Sequence, residues 1–263
     1  MGKASEQPIY NLLGGGFQTV FGLLATTPRA EPKRMAEHAK RLLGKGYTCF
    51  EPKMTGHLES LDADANRLEA IIEAVPGHAL VIADPNQTWG TAKDTIKILT
   101  RRFSGVANLA IEQPVQFHDL KGLAAITQAV TQKVIADEAI QNLSMMIEIA
   151  SQRVADVISL KLGKCGGFYK ALQMMRIAEA AGLPVRIDWT QGSALLDTAT
   201  GHLCAAVRLV ACDPGMDYQL RIKDKPVAEG GAVVRKGRLV MPEGPGLGLT
   251  VDEKLIRRLA QRR

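Results

Sequence analysis

The stretch Val157-Ile158-Ser159-Leu160-Lys161-Leu162-Gly163-Lys164-Cys165-Gly166-Gly167 decides how the chain is read. An apolar run ends in a lysine, and two glycines follow before the next helical pattern. A short apolar run bounded by glycine reads as a buried strand of a parallel sheet. Packing alone does not place a lysine at the exit of such a strand, because burying an unpaired ammonium is costly. Other apolar runs end in charge in the same way: Phe50-Glu51-Pro52-Lys53, Ile82-Ala83-Asp84, Ile111-Glu112 and Ile135-Ala136-Asp137-Glu138. The expectation is that these five strand ends meet.

Working outward, strands and helices alternate. A first strand is expected over 20–25 and a helix over 31–43. Strands at 48–54, 80–84, 109–112, 134–137, 157–161 and 185–188 precede helices at 63–74, 91–102, 120–130, 140–153, 168–181 and 193–208. An eighth strand, 209–212, is short. A strand–helix unit recurring about every 25–30 residues is the pattern of a parallel sheet with crossover helices. Seven or eight such units fit a closed (β/α)8-type, TIM-like barrel better than an open doubly wound sheet. No GxGxxG or Walker A sequence favours the open nucleotide-binding alternative. The expected organisation is a leading segment 1–18, a barrel 19–215 and a C-terminal tail 216–263. Glycines punctuate the tail around short strands at 232–235 and 238–241, and a helix over 251–261 is expected to be capped by Thr250.

Composition excludes several classes. With 46% apolar and 23% charged residues, a large core is available to the 263-residue chain. The net charge of +6 is scattered and only 5% of residues are aromatic, so the stripe that a nucleic-acid surface needs is missing. No apolar run approaches the ~20 residues of a membrane span. Cys49, Cys165, Cys204 and Cys212 lack CxxC spacing and read as reduced thiols of a cytoplasmic protein.

In a barrel of this type the active site lies at the C-terminal ends of the strands. Asp84, Glu112 and Asp137 end three successive strands, and three converging carboxylates repel unless a cation sits between them. Hard oxygen ligands suit Mg²⁺, with Mn²⁺ as a substitute. Asn86 and Gln113 stand where they can support the ligands. Lys53 and Lys161 lie on either side of the carboxylates. Two lysines so placed suit removal of a proton from one face of an α-carbon and delivery to the other, with the metal stabilising an enediolate.

The series Lys53, Asp84, Glu112-Gln113-Pro114, Ala136-Asp137-Glu138 and Lys161 to Gly167 resembles the enolase superfamily, in the branch around mandelate racemase and muconate lactonizing enzyme. The ending from Lys236-Gly237 to Gly248 resembles it too. The resemblance implies a modified TIM-like barrel with Asp84, Glu112 and Asp137 as metal ligands and Lys53 and Lys161 as the acid/base pair. Glu138 is the alternative third ligand, and Lys164 supports the ligands. It implies a racemase or epimerase acting on an amino-acid or proline (betaine) derivative. The same layout allows a dehydratase (a lyase) or a muconate-type cycloisomerase. The expected partners are a small carboxylate substrate and further copies of the chain in a homo-oligomer.

Three departures from the family pattern carry expectations. The second strand ends Glu51-Pro52-Lys53 where Lys-x-Lys is usual, so Glu51 should raise the pKa of Lys53 and make it the weaker base. The seventh strand ends Arg186-Ile187-Asp188-Trp189, where Asp188 is expected to pair with a substrate ammonium and Trp189 to stack on a cation. The α+β capping domain expected in front of the barrel is reduced to 1–18, which resembles its end. The rival of another class is therefore a truncated, catalytically inactive barrel.

Overall fold

The computed structural model describes residues 1–54, 60–188, 192–215, 220 and 222–261. A short helix α1 (Ile9–Leu12) and strand β1 (Val20–Gly22) lead into β2 (Leu24–Thr27). Units then follow in order: α2 (Pro32–Leu43), β3 (Cys49–Pro52), α3 (Leu61–Ala74), β4 (Leu80–Ala83), α4 (Ala92–Phe103), β5 (Leu109–Glu112), α5 (Leu120–Ala129) and β6 (Lys133–Ala136). After them come α6 (Leu143–Gln152), β7 (Val157–Lys161), α7 (Leu162–Cys165), α8 (Phe168–Ala180), β8 (Val185–Asp188) and α9 (Ala194–Ala205).

Strands β2 to β8 form one parallel sheet in sequence order. The ring closes through an extended segment rather than a full eighth strand. Val210 makes a single bridge to Val185, and on the far side Leu24 N donates to Pro214 O at 3.0 Å. Pro214 has no N–H to return, which limits the ladder there. The short strand expected at 209–212 is thus reduced to one bridge.

The first strand expected over 20–25 divides at Leu23. Its first half, β1, pairs antiparallel with the tail strand β11 (Arg238–Val240), and its second half, β2, enters the barrel beside β3. The tail forms two small sheets: β10 (Val233–Arg235) with β11 and β1, and β9 (Val227–Gly230) with β12 (Leu249–Val251). Lys236 and Gly237, with φ of 48° and 68°, make the tight turn of the β10–β11 hairpin.

Helix starts follow side-chain caps. Asn142 accepts from Met145 N at 3.0 Å, so α6 begins at Leu143 and not at 140. Asp252, rather than Thr250, caps the final helix α10 (Glu253–Ala260), accepting from Leu255 N at 2.9 Å. Ser193 caps α9 just before its first residue.

Strand residues alternate strictly. Phe50, Val81, Ala83, Ile111, Val134, Ala136, Ile158, Leu160 and Ile187 belong to the core beneath the helices. Leu24, Cys49, Ile82, Ala110, Ile135 and Val157 form a separate cluster inside the barrel at its N-terminal end. Two residues further along the same inward faces come Glu51, Asp84, Glu112 and Asp137, all buried. The period of two therefore carries β3, β4, β5 and β6 from apolar to ionisable on one face.

Candidate active site

Charged side chains from the ends of β3 to β8 converge at the C-terminal end of the barrel. Lys53 is bridged to Asp84 in the ladder and pairs with its carboxylate, while its Nζ lies 2.7 Å from Glu51 Oε2. On the other side, Lys161 pairs with Asp137 and lies 3.1 Å from Asp188 Oδ2. Lys164, from the single turn α7, reaches back to Asp137 Oδ1 at 2.5 Å and Asp137 O at 2.7 Å. Between the two lysines stand Asp84, Glu112 and Asp137 on the adjacent strand ends of β4, β5 and β6.

Two amides brace these ends. Gln113, held at φ 35°, accepts at Oε1 from Asp137 N and Ala139 N, both at 3.0 Å. Asn86, at φ 43°, donates its backbone N–H to Asp84 Oδ1 at 2.9 Å and its side-chain amide to Glu138 Oε1 at 3.3 Å. Glu138 thus faces Asn86. The loop carrying Asn86 is anchored from α3, where Trp89 Nε1 donates to the buried Asp64 at 3.0 Å.

Glu51, Glu112 and Asp188 are all buried, and their carboxylate oxygens lie within 4.8 Å of one another. Arg186 Nη2 sits among them, at 3.3 Å from Glu51, 2.7 Å from Glu112 and 2.7 Å from Asp188. Sequence reading gave Arg186 no role and treated Glu51 only as a neighbour of Lys53. The signal was present: each is a charge at an inward position of an apolar strand. Asp188, expected against a substrate ammonium, has its carboxylate beside Arg186 and Lys161. Trp189 lies outside the described residues.

Electrostatics follow from burial and pairing. Burial alone would lower the pKa of Lys53, but Glu51, Asp84 and Glu112 more than reverse this and raise it. Lys161 behaves the same way, with Asp188 and Asp137 overcoming burial. The asymmetry expected from Glu51 does not arise, because Asp188 does for Lys161 what Glu51 does for Lys53. Burial pushes Asp137 up, yet Lys161 and Lys164 hold it below the usual carboxylate range. Burial pushes Glu112 well above that range in spite of Arg186.

The donor set fits a divalent cation. Glu112 Oε2 and Glu138 Oε2 are buried and find no hydrogen-bond partner among the described residues. Six carboxylates (Glu51, Asp84, Glu112, Asp137, Glu138, Asp188) face four cations (Lys53, Lys161, Lys164, Arg186), so oxygen donors outnumber their cationic partners. Such an oxygen-rich set suits a hard dication.

Comparison with known proteins agrees with this geometry. A family described as enolase C-terminal domain-like matches residues 34–255. A hydrophobic dipeptide epimerase of Enterococcus faecalis is 32% identical over 252 residues, covering 95% of this chain and 69% of the relative. An N-succinyl-L-Arg/Lys racemase of Bacillus cereus is 29% identical over 261 residues, covering 98% of this chain and 68% of the relative. The solved structure of a dipeptide epimerase from Enterococcus faecalis, complexed with Mg and the dipeptide L-Leu-L-Tyr, superposes with a TM-score of 0.86. It is 31% identical and is matched over 95% of this chain and 69% of its own. The chain therefore spans about two thirds of the length of these relatives.

Proposed function

The chain belongs to the enolase superfamily, in the branch of mandelate racemase and muconate lactonizing enzyme, and from that premise we propose that it catalyses Mg²⁺-dependent 1,1-proton transfer at the carbon α to a carboxylate. The product would be the racemised or epimerised substrate, and the substrate class is an N-acylated or dipeptide-like amino acid or a proline derivative. One observation carries the reading: Lys53 and Lys161 flank Asp84, Glu112 and Asp137 from opposite sides, each already paired to a strand-end aspartate.

Asp84, Glu112 and Asp137 would hold Mg²⁺, and Asn86, Gln113 and Lys164 would orient them. When bound, the ion supplies positive charge to the substrate carboxylate as the α-proton leaves. Lys53 and Lys161 would then hold and exchange the proton at Nζ, one on each face of the α-carbon. In the present arrangement both ammonium groups are committed to carboxylates. Transfer of Asp84 and Asp137 to a dication would remove one carboxylate partner from each lysine and place a positive charge nearby, and both changes lower the lysine pKa values, while Glu51 and Asp188 remain beside them. Glu138 stays with Asn86, and Asp188 stays behind Lys161.

The test is incubation of the chain with dipeptides, N-acylamino acids, proline betaines and hydroxy acids, followed by chiral chromatography, with Mg²⁺ and with a chelator. Stereochemical inversion of at least one compound that needs Mg²⁺ is expected. Formation of a dehydrated or cyclised product instead would move the activity to a lyase or cycloisomerase. No turnover of any compound would favour the inactive barrel.

A further inference from the structure

Arg186 takes no part in the proton transfer above, yet its side chain is fully buried, at 0% exposure. It enters from β8 at an inward position, in register with Ser159 of β7. A single nitrogen, Nη2, bonds carboxylates from three strands, while Nε and Nη1 find no partner among the described residues. Two of those carboxylates have matching places. Glu51 touches Lys53 at 2.7 Å and Asp188 touches Lys161 at 3.1 Å. Each lysine thus has a strand-end aspartate on one side and a second carboxylate on the other, and the two second carboxylates share one guanidinium. Arg186 engages Glu112 through Oε1, and Glu112 Oε2 finds no partner among the described residues.

Three carboxylates within 4.8 Å of one another are themselves a set that accepts a divalent cation. Arginine is the residue suited to fill such a cluster permanently, because it does not deprotonate in proteins and is more weakly hydrated than an ammonium. We propose that Arg186 is a positioning residue acting as an internal cation: it occupies the Glu51–Glu112–Asp188 cluster, confines a metal ion to the Asp84–Glu112–Asp137 side, and anchors the carboxylates behind both lysines. The second clause rests on the metal ligands proposed above; the occupation of the cluster does not.

The test counts metal ions on the full chain by Mn²⁺ titration with electron paramagnetic resonance. It compares the wild type with Arg186→Gln, which removes the charge, and Arg186→Lys, which keeps it. Circular dichroism checks that each variant is folded. One Mn²⁺ is expected on the wild type and on Arg186→Lys, and two on Arg186→Gln. Adding Glu51→Gln to Arg186→Gln should weaken the second ion at least tenfold. A folded Arg186→Gln chain with an unchanged count and affinity would overturn the proposal. If that variant does not fold, Arg186→Lys decides: Mn²⁺ affinity within about threefold of wild type supports the internal cation, and a loss of tenfold or more refutes it. A wild type that binds no Mn²⁺ beside an Arg186→Gln chain that binds one would sink the proposed metal ligands and leave the internal cation standing. No ion on either would remove both.

Discussion

The two ends of the barrel are built from the same strands and differ in almost everything else. At the N-terminal end, Leu24, Cys49, Ile82, Ala110, Ile135 and Val157 pack inward as an apolar plug. Two residues further on, the inward positions are Glu51, Asp84, Glu112, Ser159 and Asp137. Strands β3 to β6 each place an apolar residue at the early inward position and a carboxylate at the late one, with a rigid ladder fixing the distance between them. The charged end depends on the apolar end beneath it. A cluster of desolvated carboxylates works against folding, and the apolar layer beneath it offsets that cost.

The sharpest way to break the comparison is to show that the upper end matters to stability alone. On the present account Lys161→Ala should lower α-proton exchange by about 10³-fold, within the range of a lost general acid or base, while the fold persists. Loss of folding with no specific loss of exchange would erase the distinction. At the lower end, Ile135→Ala should cost about 2–5 kcal/mol of stability in denaturant unfolding, from lost transfer energy and the cavity left behind. Mn²⁺ affinity should not change in that variant.

Smaller effects sharpen the boundary between the ends. Trp89→Phe keeps an aromatic side chain but removes the pyrrole ring with the N–H that Asp64 accepts, so a loss of at least about 1–3 kcal/mol is expected. Because the same loop carries Asn86, metal affinity should fall as well; an unchanged affinity would detach the loop anchor from the site. The smallest effect lies in the helical layer, where α9 meets α1. His202 stacks on Tyr10 and accepts its backbone N–H at 3.3 Å, and burial holds the imidazole pKa below its usual value. A depressed pKa means that this contribution is complete above the unfolded value of about 6.5 and is lost as pH falls through the lower folded value. The melting temperature should decline on acidification, and His202→Gln should flatten that decline.

Much of the barrel was legible because its signal is local: apolar runs, glycine stops and charged strand ends at a repeating interval. Asp84, Glu112, Asp137, Lys53 and Lys161 stand at equivalent places in those runs, so their convergence is legible in the sequence. What could not be read depends on partners distant in sequence. The break at Leu23 exists because β1 pairs with β11, more than two hundred residues later. Arg186 was passed over for the same reason. A charge inside Val185-Arg186-Ile187 has meaning only when Glu51 and Glu112 arrive from other strands. The contact of Asp188 with Lys161 likewise crosses from one strand to the next. Local chemistry also corrected two helix starts, where Asn142 and Asp252 are the caps.

The most direct measurement is stereospecific exchange in D₂O with Mg²⁺, followed by NMR on both stereoisomers of a substrate found in the chromatographic screen. It would compare the wild type with Lys53→Ala and Lys161→Ala. The account predicts that the wild type incorporates deuterium at the α-carbon of either isomer, that each lysine variant loses inversion, and that each fails to exchange a different isomer. Equal exchange of both isomers in either variant would contradict a lysine on each face of the substrate.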